Sequence, residues 1–424
     1  MDTGSTESDR LAIDGGTPLV TELPERGLIG AEERAAVLGV VDRAIAAGGA
    51  IEYGGPEEEA YCAEFAETLG GGHADAVNSG TAALYVALRA LGVEPFTEVV
   101  VPAISDPGGM MPVPLLGCIP VVADTEPGSF NCGPEQIEAV IGPLTSAIVV
   151  AHIAGEPARI AAIARLAERH GVPLIEDCAQ AHGAAIGGAP VGSFGTVAAF
   201  STMWGKHHST GGQGGVVFTR DEELYRRIRG AADRGKPFGA TLPAGRNYLA
   251  SLNFNQDELS AAIGRAQLVK LPAAVARRRA FVRALAEHLT DVPSVRVPEL
   301  PDGAEPSWWF LRLRYRSAGG WDKERFCAAV AAEGVPVNPT YAALPATYTW
   351  FRDRQVFGRR SGFPWTAAEY RGDPDRAFPC PNAHAAVAEH FTLPLRESWG
   401  EAEAAKIAAA FARVDRAARR AGSA

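Results

Sequence analysis

Residues 198–218 read AAFSTMWGKHHSTGGQGGVVF, two short apolar runs joined by a polar loop that holds a single lysine, Lys206. The loop also carries a hydroxyl at Ser201, adjacent histidines at His207 and His208, and glycines at 211, 212, 214 and 215. Three chemistries compete for it: a phosphate cradle, a metal site, and a lysine that bonds covalently to a cofactor. The flanking apolar runs decide the architecture. They close a series, TEVVVP, CIPVVAD, SAIVVAHI, VPLIEDCA, GTVAAFS and GGVVFT, within residues 76–218, with helical spacing at 81–91 and 157–169 between some of them. Such alternation predicts an α/β fold with a mostly parallel sheet covered on both faces.

Outward from this core, residues 31–47 and 57–69 carry helical spacing and form a first layer. Residues 257–290 read as a long helix interrupted near Pro272, because proline removes a backbone donor from the helix ladder. This helix leads to a second unit at about 290–424, with a strand-like WWFLRLRYR, a helix at 322–334, an irregular segment at 336–381 and a final helix at 400–419. No internal repeat is visible.

A chain of 424 residues with 47% hydrophobic content suffices for a large core split into two or three units. A formal net charge of −10 without any Lys/Arg-rich block removes nucleic acid and anionic membrane surfaces from the expected partners. No apolar run reaches transmembrane length. The six cysteines show no C-x-x-C pairing, which argues against a zinc ribbon or disulfide framework and fits a reducing cytoplasm. The N-terminal MDTGSTESDRLAIDGG is polar and acidic, and is expected to be a short disordered leader, not a signal peptide.

In an open parallel sheet, ligands sit beyond the carboxyl ends of the strands. VPLIEDCAQAHGA delivers Glu176 and Asp177 at such an end, a costly place for carboxylates without partners or work, although either side chain also suits a turn cap. VNSGTAALYVALRAL places Asn78, Ser79, Gly80 and Thr81 at the start of a periodic helix, where free N–H groups and the helix dipole favour a phosphate; an ordinary Ser cap remains the competing reading. A lysine in a dry pocket has a lowered pKa, and its neutral amine serves as nucleophile and proton carrier. Together, lysine, helix start and carboxylate fit pyridoxal 5′-phosphate: a Schiff base at Lys206, the phosphate at the helix start, and an acid beside the pyridine nitrogen. A Walker-type loop places its lysine after the glycines, and here Lys206 precedes them. Neighbouring His207 and His208 are expected to point apart and so not to share an ion; His152 and His182 are further histidines near the same strand ends. No metal site is expected.

The motifs NSGTAALYVALRALG, HIAGEPARIAAIARLAERHGVPLIEDCAQAHGA, AFSTMWGKHHSTGGQGG and LNFNQDELSAAIGRAQLVKL, spanning most of the chain in this order, resemble the DegT/DnrJ/EryC1/StrS family of pyridoxal-phosphate-dependent sugar and aminocyclitol aminotransferases. The resemblance implies fold type I, the aspartate aminotransferase-like architecture: a mostly parallel seven-stranded sheet between helices plus a smaller α+β C-terminal domain. The corresponding division is an N-terminal arm at 1–30, a large cofactor-binding domain at 31–270 and a small domain at 271–424. Carried over by position, it implies Lys206 as the Schiff-base lysine and Asp177 as partner of the pyridine nitrogen. Gln180 falls beside the ring oxygen, and Gly80, Thr81 and Ser201 on the phosphate. Asn253 matches an asparagine that reaches the phosphate from a neighbouring subunit, which implies a homodimer with shared sites. The cofactor would alternate between pyridoxal and pyridoxamine 5′-phosphate as nitrogen passes from glutamine or glutamate to a small-molecule ketone.

Three departures from the family pattern stand out. The usual Gly-Glu-Gly-Gly is the longer GGQGG with Gln213 in place of the acid, an arginine is replaced by Asn255, and Asp106 lies near the place of a ring-stacking aromatic. The loop glycines are expected where backbone passes close to the cofactor or a partner chain. LAIDGGTPLV and the long C-terminal segment are more like the branch acting on cyclitol ketones such as scyllo-inosose than the branch acting on nucleotide-linked keto sugars. Arg352, Arg354, Arg359 and Arg360 are candidate substrate contacts, with a solvated surface as the competing reading. A lyase or dehydratase-like reaction on the same cofactor and a non-catalytic binding subunit are the alternative functions.

Overall fold

The computed structural model describes residues 10–237, 246–341, 343–358 and 361–422. Seven strands form the central sheet: β1 His73–Val77, β2 Glu98–Pro102, β3 Ile119–Ala123, β4 Thr145–Ala151, β5 Leu174–Asp177, β6 Val197–Ser201 and β7 Gly215–Thr219. Their spatial order is β1-β7-β6-β5-β4-β2-β3. All neighbours run parallel except β7, which is antiparallel to both β1 and β6.

Alternate residues of these strands enter different cores, which is why they read as unbroken apolar runs. Val99, Val101, Val149, Val197 and Val217 pack with the helices Gly80–Leu91 and Glu222–Ala232. Val100, Ile148 and Val150 face the helix Ile160–His170 on the other side, while Phe200, Val216 and Phe218 face the helices Pro56–Thr68 and Glu258–His288. Strand β1 was not anticipated, because HADAV holds only one good strand former, Val77, beside two alanines and the polar His73 and Asp75. It forms through five residue pairs with β7, and its buried Asp75 is paired with Arg229, so tertiary pairing overrides propensity.

The helix Glu258–His288 runs unbroken for 31 residues with Pro272 inside it, contrary to the expected interruption. Leu268, Leu271 and Val275 are buried against the Tyr61/Phe65 layer on both sides of the proline, and this packing carries the helix across the lost hydrogen bond. The boundary expected at residue 270 therefore falls within one helix. Its far half, with Phe281, Val282 and Leu285, packs on a three-stranded antiparallel sheet, Val295–Arg296, Phe310–Tyr315 and His390–Pro394, together with the helices Lys323–Ala332 and Glu401–Ala421.

The leader is also corrected from Arg10 onward, residues 1–9 lying outside the described residues. Leu11 and Val20 are buried in the small-unit core, and the N–H groups of Ala12 and Leu19 donate to the fully buried Glu333 carboxylate at 2.9 and 3.1 Å. Arg413 ties Glu333 to the Thr17 carbonyl. A buried carboxylate needs donors, and a polar arm supplies them. In the irregular segment, Phe351, Trp365 and Tyr370 join the main core; Arg354 lies 5.2 and 4.8 Å from the rings of Phe351 and Trp365, and Arg352 pairs with Asp353. Arg359 and Arg360 lie outside the described residues.

Candidate active site

The carboxyl ends of the strands surround a cavity of about 240 Å³. Gly80, Thr81, Asp177, Gln180, Ser201 and Lys206 all line it, with Asp106, His152 and Gln213. Asn253 does not: it is exposed, and its side-chain oxygen accepts from the backbone and amide N–H groups of Asn255 at 3.2 and 2.7 Å.

At the helix start, the Ser79 hydroxyl accepts from the Ala82 N–H at 3.0 Å. The N–H groups of Gly80 and Thr81 and the hydroxyls of Thr81 and Ser201 have no partner among the described residues. A Cβ on Gly80 would fall 2.6 Å from the Ser201 Cβ, so glycine is what lets the helix start press against the end of β6. The result is a cup of free donors at a positive helix end, suited to a phosphate. The Ser201 carbonyl is held from beneath by His182 Nε2 at 2.7 Å.

Asp177 and Glu176 are neighbours on one strand and face opposite ways. Glu176 accepts from the N–H groups of Gly192, Phe194 and Gly195 at 2.8, 2.7 and 2.6 Å, so its work is to hold that loop. Asp177 reaches the cavity with one oxygen on the Ala179 N–H at 3.0 Å. Burial pushes its carboxyl above the usual range, a cost that a cationic ligand would offset. His152 takes the Ala158 N–H on Nδ1, so its Nε2 donates to Glu176 at 3.1 Å. Although His152, Glu176 and Cys178 bring ligand atoms within 4.8 Å of one another, both histidine nitrogens and both carboxylate oxygens are thus engaged.

Lys206 is 6% exposed, and burial pushes its ammonium down to about 8 against the attraction of Asp177 and Asp106. Its Nζ lies 3.6 Å from the centroid of the Trp309 ring. The loop backbone is clamped by Arg26 of the N-terminal arm, which donates to the Lys206 and Trp204 carbonyls and pairs with Glu397 at 2.8 Å. Glu397 also holds the buried Arg278 at 2.7 Å. Gln180 accepts from the Ala154 N–H at 2.8 Å and donates to the Tyr341 hydroxyl at 3.0 Å, which fixes its amide orientation.

His207 and His208 are both buried and face different groups: the His208 ring stacks on Tyr61 at 5.6 Å, and both rings lie near His182, with centroids 6.2 and 5.6 Å away. Burial holds all three histidines neutral, His182 at about 4. Within this chain, a Cβ on Gly214 would fall 2.2 and 2.3 Å from the Thr210 and Thr202 hydroxyls and one on Gly215 2.4 Å from the carbonyl of Ser79, the cap of the helix Gly80–Leu91; Gly211 supplies φ +103°. Trp309, Tyr341, Arg26 and His182 take part in the site without any spacing in the sequence that links the first three to Lys206.

The sequence profile of the DegT/DnrJ/EryC1/StrS aminotransferase family matches residues 31–412. In sequence the chain is similar to the erythromycin biosynthesis sensory transduction protein EryC1 of Saccharopolyspora erythraea, 37% identical over 298 residues that span 68% of this chain and 79% of that protein. It is similar to the L-glutamine:2-deoxy-scyllo-inosose aminotransferase of Streptomyces kanamyceticus, 34% identical over 371 residues, 80% of this chain and 82% of that one. In structure it is similar to an aminotransferase from Psychrobacter cryohalolentis, with a TM-score of 0.80 at 27% identity over 92% of this chain and 97% of the other.

Proposed function

The chain belongs to the DegT/DnrJ/EryC1/StrS aminotransferase family, and we propose that it transfers the amino group of glutamine or glutamate to the ketone of a cyclitol ring resembling scyllo-inosose, or of a sugar ring. It is a pyridoxal 5′-phosphate-dependent aminotransferase of fold type I. One observation carries the assignment of roles: unpartnered donors at a helix start, a buried strand-end carboxylate and a buried lysine share one small cavity. When bound, the cofactor supplies a carbonyl that condenses with amines and a ring that accepts electrons.

In this reading the N–H groups of Gly80 and Thr81 and the hydroxyls of Thr81 and Ser201 hold the phosphate. Asp177 would pair, ionised, with the pyridine nitrogen and keep it protonated. Lys206 would hold the cofactor covalently and, when freed, its Nζ would carry the proton taken from the donor carbon. An amine that titrates near 8 is suited to taking up and releasing that proton. Gln180, pinned by Ala154 and Tyr341, offers a fixed amide to the ring oxygen.

The cyclitol reading is supported by the likeness to an L-glutamine:2-deoxy-scyllo-inosose aminotransferase. The exposed Asn253, next to Leu252 at 60% exposure, is assigned to the site of a second copy, so that the working form is a homodimer with shared sites. All six cysteines are free and buried, in keeping with a cytoplasmic location; among the described residues no helix is long and apolar enough to cross a membrane.

The test is incubation of purified protein with glutamine and, separately, keto-cyclitols and nucleotide-linked keto sugars, with amine products identified by mass spectrometry. Amination of a cyclitol ketone is expected. Release of ammonia without any amine product contradicts the reading and favours the lyase alternative, to which Asp106 and Gln213 in the cavity wall would then belong.

A further inference from the structure

The sequence offers no reason for a tryptophan from the small unit to sit over the active lysine, yet the structure fixes one there from several directions. Trp309 immediately precedes the strand Phe310–Tyr315. Its backbone N–H donates to the Ala154 carbonyl at 2.8 Å, its carbonyl accepts from Arg278 at 2.9 Å, and its indole N–H donates to the Gly205 carbonyl at 2.8 Å. Ala154 is the same residue whose N–H holds Gln180. The ring also lines a wider cleft of about 750 Å³ with Met203 and Trp204, so the indole forms the wall between that cleft and the lysine.

Two strained residues keep this wall in place. Ala154 and Trp308 have φ of +63° and +56°, in the left-handed region that side chains with a Cβ rarely adopt. Such backbone persists only where its surroundings over-determine it, and it clusters at functional sites. Here the two strained residues lie on the two sides of the Trp309 backbone anchor. A Cβ on Gly155 would fall 2.6 Å from the Trp308 nitrogen, so the two segments meet at close quarters.

The face presented to Lys206 has a definite chemistry. An aromatic ring attracts an ammonium through its quadrupole, most strongly when the ring is indole and the pair is desolvated. The neutral amine gains much less. Burial acts on Lys206 in the opposite sense, and a purely apolar wall would leave that burial unopposed on this side.

We propose that Trp309 is the positioning residue for the reacting amine: its ring face keeps Lys206 Nζ at the cavity wall when the lysine is not bonded and stabilises it once it has taken up a proton, so that the freed side chain does not swing into the wider cleft. The assignment rests on Lys206 being the reacting amine, and its test is separable from that reading.

The test weakens the ring's charge without changing its bulk. Mono-, di- and trifluorotryptophan are installed at position 309 alone, and the cofactor-free full-length protein is acetylated with acetic anhydride across a pH series, with Lys206 modification followed by peptide mass spectrometry. The pH midpoint of Lys206 labelling should fall stepwise with fluorine number, by about one unit over the series, a roughly tenfold change in neutral amine at a given pH. An indole that only covers the lysine gives a flat series, and a flat or rising series overturns the proposal while leaving the role of Lys206 intact. Native turnover by Lys206→Ala would remove both.

Discussion

Replacing Lys206 by methionine should make the cofactor-free protein more stable, not less, because the site holds the lysine at a cost to folding. The side chain titrates near 10.5 when unfolded and near 8 in its buried position. The unfolded chain therefore binds a proton throughout the interval between these values where the folded chain does not, and stability rises with pH across it. Below that interval the penalty is complete. A difference of 2.5 units between the two values corresponds to about 3.5 kcal/mol at roughly 1.4 kcal/mol per unit. A methionine of similar reach, which brings no charge into the site, should regain most of it, about 3 kcal/mol. Urea denaturation followed by fluorescence, at pH 7 and at intervals up to 10.5, should show Lys206→Met ahead of the parent at neutral pH and the gap closing as pH rises. A destabilised variant, or a gap independent of pH, would refute a buried lysine held against its own solvation.

Asp177→Asn should keep the cofactor but lose roughly a hundredfold or more in turnover, since an amide cannot stabilise a protonated ring nitrogen as a carboxylate does; near-native kcat removes Asp177 from that role. Gly80→Ala drives a Cβ to 2.6 Å from that of Ser201, and overpacking of this kind costs about 1 to 3 kcal/mol. Its thermal midpoint and its spectrophotometric affinity for pyridoxal phosphate should both drop, and an unchanged affinity would take the phosphate away from this helix start. Asn253→Ala should weaken cofactor retention by about 1.5 to 3 kcal/mol, one hydrogen bond to a charged acceptor, with the dimer surviving in sedimentation. Parent-like retention, or an active monomeric parent, would end the shared-site proposal.

The positions around the cavity were legible because strands buried on both faces read as unbroken apolar runs, so that Asp177 and Ser201 stand out as the polar residues that end them, and Gly80 and Thr81 as the start of the next periodic helix. What the pattern hid depends on contacts distant in the chain. His73–Val77 is a strand only because β7 pairs with it, the helix survives Pro272 only because both its flanks are buried, and the N-terminal arm is ordered only because Glu333 takes its N–H groups. Trp309 belongs to the same class. In WWFLRLRYR it reads as the beginning of a strand, and nothing local shows that its ring meets a lysine 103 residues earlier.

The central claim is that Lys206 is the amine that bonds the cofactor. Borohydride reduction of the holoenzyme, followed by proteolysis and peptide mass spectrometry, should place the phosphopyridoxyl group on the peptide containing Lys206 and nowhere else, with the label lost when glutamine is added before the reductant. A label on another lysine, or a holoenzyme that acquires none, would contradict the account.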